Sequence, residues 1–273
     1  MVKIAFRGNF DRRENHRRYA DLGRVAIVLA ARPSYKKQAC RVKPASGPMD
    51  IQRITAMDYA AARQNMVDCQ ILPNQVTDPR VVDAMLELPR EEFVASRLKG
   101  VAYVDEALPL GDGRYLMEPM VVGRLLEEAA LKVDDVALVI GCGSGYLPAL
   151  LAKVVSTVVA VEPDKALAER AEETFSRLAL DNIVVVDEPL YAGYAKQGPY
   201  NVIIFDGAVT EVPQAIIDQL ADGGRLVAVV TGGDGVGRAR LVSRFGDVTS
   251  ARDLFDAGTP VLPGFEPEPA FSF

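Results

Sequence analysis

The stretch Val136-Ala-Leu-Val-Ile140-Gly141-Cys142-Gly143-Ser144-Gly145-Tyr146-Leu147 decides the fold of this chain. Its first five residues are wholly apolar, as a strand buried on both faces of a parallel sheet requires. Three glycines at alternate positions then let the backbone turn sharply and bring amide N–H groups up to a ligand where the next helix starts. Apolar runs of the same kind recur at 157–161, 183–186, 202–205 and 225–230. Helical stretches at 147–155, 164–180 and 213–220 separate them. Alternation at this spacing predicts right-handed crossovers and an α/β doubly wound, mostly parallel sheet.

Upstream, helical spacing runs from 57 to 72 and stops at Pro73-Asn74. Asp78-Pro79 reads as an N-cap followed by proline at the first helical position, opening a helix over 80–88. A short helix follows from Arg90, the chain from 103 to 113 reads as loop, and Pro119 opens a helix over 120–131. Downstream, Gly232-Gly-Asp-Gly-Val-Gly237 lacks the Lys-Ser/Thr pair of a phosphate loop. It reads instead as the turn of a β-hairpin whose second strand is Arg240-Leu-Val-Ser-Arg-Phe245. The proline-rich tail from Pro260 is expected to pack as an irregular or edge segment.

Composition narrows the chemistry. The 273 residues include one histidine, His16, and three cysteines, Cys40, Cys69 and Cys142. That excludes histidine-based metal sites and Ser–His or Cys–His catalysis, and is too little for a disulfide framework or a zinc site. No apolar run approaches the roughly 18 residues of a membrane span, so no membrane association is expected. Residues 1–56 carry thirteen Lys and Arg against four Asp and Glu, a net of +9, while the rest of the chain carries −15. An acidic body disfavours nucleic acid, whose binding rests on neutralising phosphates. The run Val25-Ala-Ile-Val-Leu-Ala-Ala31 is short for a signal-peptide core and sits behind a long charged lead, so a cytoplasmic protein is expected.

Three regions are therefore expected. Residues 1–56 form a basic extension, disordered or non-native, with Met49 or Met57 as alternative starts. Residues 57–118 are a helical N-terminal part, and 119–273 the Rossmann-like core.

The loop also narrows the ligand. A dinucleotide fingerprint would place its third glycine at 146, which is Tyr146. Gly-x-Gly-x-Gly suits a ligand without pyrophosphate, such as S-adenosyl-L-methionine, whose amino-acid end meets the amides of Gly141, Gly143, Ser144 and Gly145. At the end of the second strand stands Glu162, where a carboxylate can accept both hydroxyls of a ribose. The competing role for Glu162 is a solvated cap on the next helix, which Asp164 fills equally well. Cys142 serves as a small residue and not as a nucleophile, since nothing near it in sequence stabilises a thiolate.

Several ordered motifs resemble the protein-L-isoaspartate O-methyltransferase family across most of residues 57–230. Asp78-Pro-Arg-Val-Val-Asp-Ala-Met85 with Leu88-Pro-Arg-Glu-Glu-Phe-Val94 is similar to its N-terminal segment. Ala102-Tyr-Val-Asp-Glu-Ala-Leu-Pro-Leu-Gly111 resembles its substrate loop, Gly141–Tyr146 its cofactor loop, and Pro199-Tyr-Asn-Val-Ile203 the lead into its fourth strand. The resemblance implies a Rossmann-like class I methyltransferase fold. It also implies methyl transfer from S-adenosyl-L-methionine to the free carboxylate of L-isoaspartyl residues in damaged proteins or peptides, whose ester then collapses to a succinimide.

The sequence departs from the family's pattern at several places. The family's Thr-Ile-Ser-Gln-Pro is Tyr115-Leu-Met-Glu-Pro119 here, so Met117 stands at the serine position and Glu118 replaces a neutral amide. The acid usual before the cofactor loop is Val139. The Gly-Asp-Gly whose acid meets the adenine aligns with Glu188-Pro-Leu190, leaving Asp187 or Glu188 to substitute. Phe205-Asp-Gly-Ala208 adds Asp206 where the family has Thr-Ala-Ala. Three readings stay open: an isoaspartyl methyltransferase with a divergent site, a methyltransferase of another substrate using Asp206 or Glu118, and a non-catalytic adenosylmethionine-binding protein. The sequence leaves the oligomeric state open.

Overall fold

Strands and helices alternate as the apolar runs require, and the computed structural model describes residues 58–232 and 237–266. The expectations for residues 1–56, for the glycine loop at 233–236 and for the last seven residues lie outside the described residues. Two strands, β1 (Leu108–Gly111) and β2 (Arg114–Leu116), form a small antiparallel hairpin of their own. Seven others form one sheet: β3 (Val136–Ile140), β4 (Thr157–Val161), β5 (Ile183–Val186), β6 (Tyr200–Val209), β7 (Leu220–Thr231), β8 (Gly237–Phe245) and β9 (Val248–Asp256). Their order is β5-β4-β3-β6-β7-β8-β9, parallel as far as β7 and antiparallel beyond it.

The helices are α1 (Tyr59–Met66), α2 (Pro79–Glu87), α3 (Pro119–Glu128), α4 (Tyr146–Ala152), α5 (Lys165–Arg177) and α6 (Gln214–Ile217). Asp78 caps α2 by accepting from the Arg80 N–H, with Pro79 at its first position, as the sequence predicts. The alternating side chains of β3 explain why its run has no polar member. Ala137 and Val139 enter a core shared with α2, α3 and α4, while Leu138 and Ile140 enter a second core with Ile203, Phe205 and Ile216. Both faces are covered.

Several expectations need correction. The segment read as loop contains β1 and β2, because Leu108 and Leu116 are buried and the glycines at 111 and 113 supply the positive φ of the turn between them. The helix expected over 57–72 shortens to α1 and continues as a π turn, Val67–Ile71, and a 3-10 turn, Leu72–Asn74. The hairpin partner of β7 is β8, as expected, but β9 extends the meander by another strand. The tail over 260–266 is irregular, one of the two forms expected of it: Val261 makes an isolated bridge to Ala208 at the sheet's carboxyl end, and Leu262 is buried.

Arg225 on β7 fixes how α3 meets the sheet. Its Nε donates to the Ala129 carbonyl (2.6 Å) and its Nη2 to the Ala130 carbonyl (2.8 Å), just past the end of α3. The same guanidinium pairs with the buried carboxylate of Asp135 at the start of β3. Removing one member of a buried pair strands the other charge, a loss of about 3 kcal/mol or more. Arg225→Met is therefore expected to unfold at clearly lower urea than wild type. An unchanged midpoint would refute the anchor.

Candidate active site

The strand order reverses between β3 and β6, and ligands of such sheets bind outside the carboxyl ends at that switch point. The glycine loop sits there. Gly141, Gly143 and Gly145 all have positive φ (81°, 55° and 98°), a conformation other residues adopt only under strain. At Gly145 space is also refused, because an added Cβ would lie 2.6 Å from the Phe175 ring. Gly141 and Cys142 donate to the Val161 carbonyl (3.0 and 3.1 Å), which holds the loop against the end of β4.

Glu162, the next residue, is buried and ties the loop down further. Its carboxylate accepts from the Gly143 N–H (2.7 Å) and, more weakly, from the Asp164 N–H (3.2 Å). Asp164 takes the helix-capping role, accepting from the N–H groups of Ala166 and Leu167 at the start of α5. The solvated-cap role considered for Glu162 is thereby excluded.

A third donor to Glu162 is one that sequence reading missed. Arg114 on β2, itself buried, donates from Nη1 to Glu162 Oε1 at 2.7 Å. Its Nε and Nη2 are buried without a partner. The Arg114 Nη2 lies 3.0 Å from where a Cβ on Gly141 would stand, and Leu262 packs against the same point. Leu262 is held by main-chain bonds on both sides of Ala208, Leu262 N–H to the Ala208 carbonyl and Ala208 N–H to the Pro260 carbonyl. Beside Glu162 opens a cavity of about 410 Å³, lined among others by Asp187, Leu190, Tyr191 and Phe265.

The residues fit a nucleoside cofactor. The cradle glycines, the strand-end acid, the buried Ser144 hydroxyl without a partner and the adjoining cavity form a continuous set. Asp187 faces that cavity, whereas Glu188 pairs with Lys196 at 2.9 Å. Arg114 and Leu262 pack over the loop at Gly141, and the N–H groups of Gly141, Gly143 and Gly145 donate to Val161, Glu162 and Cys142.

On the acceptor side, Met117 is fully buried in the core, and its carbonyl accepts from Arg90 Nη2 at 2.6 Å. Arg90 is wholly buried, donates a second bond to the Ala102 carbonyl and stacks 4.8 Å over the Tyr146 ring. Burial pulls its pKa down, against the pull of Tyr146, Asp206 and Glu118. Asp206 stands at a bulge in β6, where the register slips between Ile204 and Ala208. Burial, with a smaller push from Glu162, raises its carboxyl to about 8, against the pull of Arg114 and Arg90. Burial also raises the Glu118 carboxyl, with Thr259 and Arg90 acting the other way. Both acids are biased toward the neutral form that an anionic acceptor tolerates. Burial holds Cys142 as an inert thiol, as expected.

The structure thus brings Gly141, Gly143, Ser144, Gly145 and Glu162 together, places Asp187 at the cavity and turns Glu188 to Lys196. Arg114 had one sequence signal. It shares the inward parity of Leu116 on a short alternating strand, with exposed Tyr115 between them.

A doubly wound sheet with a glycine cradle facing a strand-end acid defines a Rossmann-like methyltransferase. The family model described as Protein-L-isoaspartate(D-aspartate) O-methyltransferase (PCMT) matches residues 61–251. A protein-L-isoaspartate O-methyltransferase of Methanoculleus marisnigri is 40% identical over 186 residues, covering 68% of this chain and 84% of that one. One from Geotalea uraniireducens is 37% identical, covering 63% and 79%. A solved protein-L-isoaspartate O-methyltransferase superposes with a TM-score of 0.65 at 27% identity, covering 74% of this chain and 66% of that chain. A Plasmodium falciparum beta-aspartate methyltransferase in complex with S-adenosyl-L-homocysteine shares the fold, with a TM-score of 0.64 at 21% identity, covering 76% and 99%. The chain belongs to the protein-L-isoaspartate O-methyltransferase family.

The Asp206 carboxyl has a consequence for stability. Between the ordinary carboxyl range and about pH 8 the unfolded chain loses this proton while the folded chain keeps it. Stability from this group is therefore full in acid and falls as pH rises across that window. Asp206→Asn removes the fall, with an expected gain of about 1 kcal/mol or more above pH 8, roughly 2–4 °C in melting temperature. A variant that melts no higher than wild type at pH 9 would contradict a buried neutral acid.

Proposed function

We propose that the glycine loop and Glu162 hold S-adenosyl-L-methionine and that the acceptor is the free carboxylate of an L-isoaspartyl residue in a protein or peptide. When bound, the cofactor supplies an electrophilic methyl group. The chain's own residues bind, orient and exclude water. The glycine loop, through the unpartnered Ser144, receives the amino-acid end, Glu162 the ribose hydroxyls, and Asp187 with Tyr191 the base in the cavity. No general base is needed, because a carboxylate is already ionised at neutral pH. Placing its oxygen in line with the methyl group in a dry crevice is what remains to be done.

The observation that carries the proposal is the buried contact of Gly143 with Glu162 beside a cavity of about 410 Å³, in a chain of this family. The protein is read as acting in the cytoplasm on other proteins. Its acidic body argues against nucleic acid as substrate, and among the described residues no helix is long and apolar enough to cross a membrane.

A second reading, methyl transfer to another acceptor, is favoured by Met117, which brings no hydroxyl to the site. The structure weakens it, since Met117 is core and not crevice surface.

Incubation with labelled cofactor is expected to label an isoaspartyl peptide and leave its aspartyl isomer at background. Equal labelling, or none, would sink the proposed acceptor. Met117→Ser is expected to cost about 3 kcal/mol of stability, as large-to-small core changes do, without raising turnover. A variant as stable as wild type that labels several-fold faster would show that the position faces substrate.

A further inference from the structure

Arg114 uses one of its five guanidinium donors, and two of its nitrogens are buried without a partner against the glycine loop. Among the described residues its ion-pair partner is Glu162. That carboxylate is the group the proposed function gives to the cofactor's ribose. If ribose hydroxyls take Glu162, the guanidinium is left buried and unpaired, a state that strongly destabilises a protein. Asp206 does not offer an ionised partner at neutral pH, since burial raises its carboxyl to about 8. An anion brought from outside completes the site.

We propose that Arg114 is the receptor for the acceptor's carboxylate, and that ribose binding at Glu162 releases it for that role. The inference rests on the isoaspartyl reading above. Arg114 is placed to change partners because β1 and β2 pair only with each other and stand apart from the main sheet. Their turn is built on Gly111 and Gly113, both with positive φ and exposed. A planar guanidinium suits a carboxylate, which it can grip through two parallel N–H donors. Arg90, the crevice's other cation, is held by the carbonyls of Ala102 and Met117 through Nε and Nη2 and keeps only Nη1 buried without a partner. Arg114 thus gives a crevice with two extra acids a means of selecting an anion.

Calorimetry separates the two halves of the exchange. S-adenosyl-L-homocysteine is titrated into wild type, Arg114→Ala and Arg114→Lys, and an isoaspartyl peptide is then titrated into each saturated protein. Arg114→Ala is expected to bind the nucleoside at least as tightly as wild type, since Glu162 is free. It is expected to bind the peptide about tenfold or more weakly, as loss of a charge-assisted bond implies. Arg114→Lys should recover part of the peptide affinity, and the peptide's neutral methyl ester should bind all three alike. Peptide affinity indifferent to Arg114, or nucleoside affinity lost in Arg114→Ala, overturns the proposal. Wild type that binds isoaspartyl and aspartyl peptides equally overturns the underlying acceptor reading, and Arg114's role with it.

Discussion

The site depends on one buried carboxylate. Glu162 accepts from a loop amide, from the backbone ahead of α5 and from a guanidinium on the β1–β2 hairpin. The farthest of these three donors, Arg114, stands 48 residues from Glu162 in sequence. A charge in so dry a place persists only when paired and hydrogen-bonded. The loop is therefore held in its left-handed turns from below by Val161 and from the side by Glu162. The sheet sets where these groups stand, and the carboxylate sets how they face one another.

Around it the crevice separates charge by burial. Asp206 and Glu118 are biased toward neutral forms, while Arg90 and Arg114 lie inside with their charges anchored. A carboxylate entering such a place meets the Arg114 guanidinium once it has left Glu162. Charge placed where the acceptor binds, rather than acid–base chemistry, is what a methyl transfer to oxygen asks of a protein.

The parallel sheet was legible because each strand is buried on two faces and so has no polar members to blur it. The cradle was legible because glycine spacing states a backbone requirement directly. Glu162 was legible from its place at a strand end. β9 was hidden because both its faces are largely exposed and its residues alternate weakly, as in Val248-Thr-Ser-Ala-Arg-Asp-Leu. The β1–β2 hairpin was hidden by Pro109 and its glycines, which read as loop. Leu262 could not be found by spacing, and Arg114 only through its parity with Leu116, since each meets the cradle through a tertiary approach from a distant segment. The burial of Met117 was hidden for the same reason: alignment fixes its position in a motif, and packing decides what surrounds it.

The segment from Thr259 to Phe265 roofs the crevice yet follows the stretch, 61–251, that the family shares. Main-chain bonds to Ala208 secure it, Thr259, Leu262 and Phe265 are buried, and Val261 packs on the core, which leaves Pro263 and Gly264 at the rim of the cavity. Evolution can therefore re-carve the doorway by rewriting a handful of late residues, leaving the floor beneath intact. Descendants of one chain could diverge in which damaged polypeptides they admit while keeping the same methyl donor.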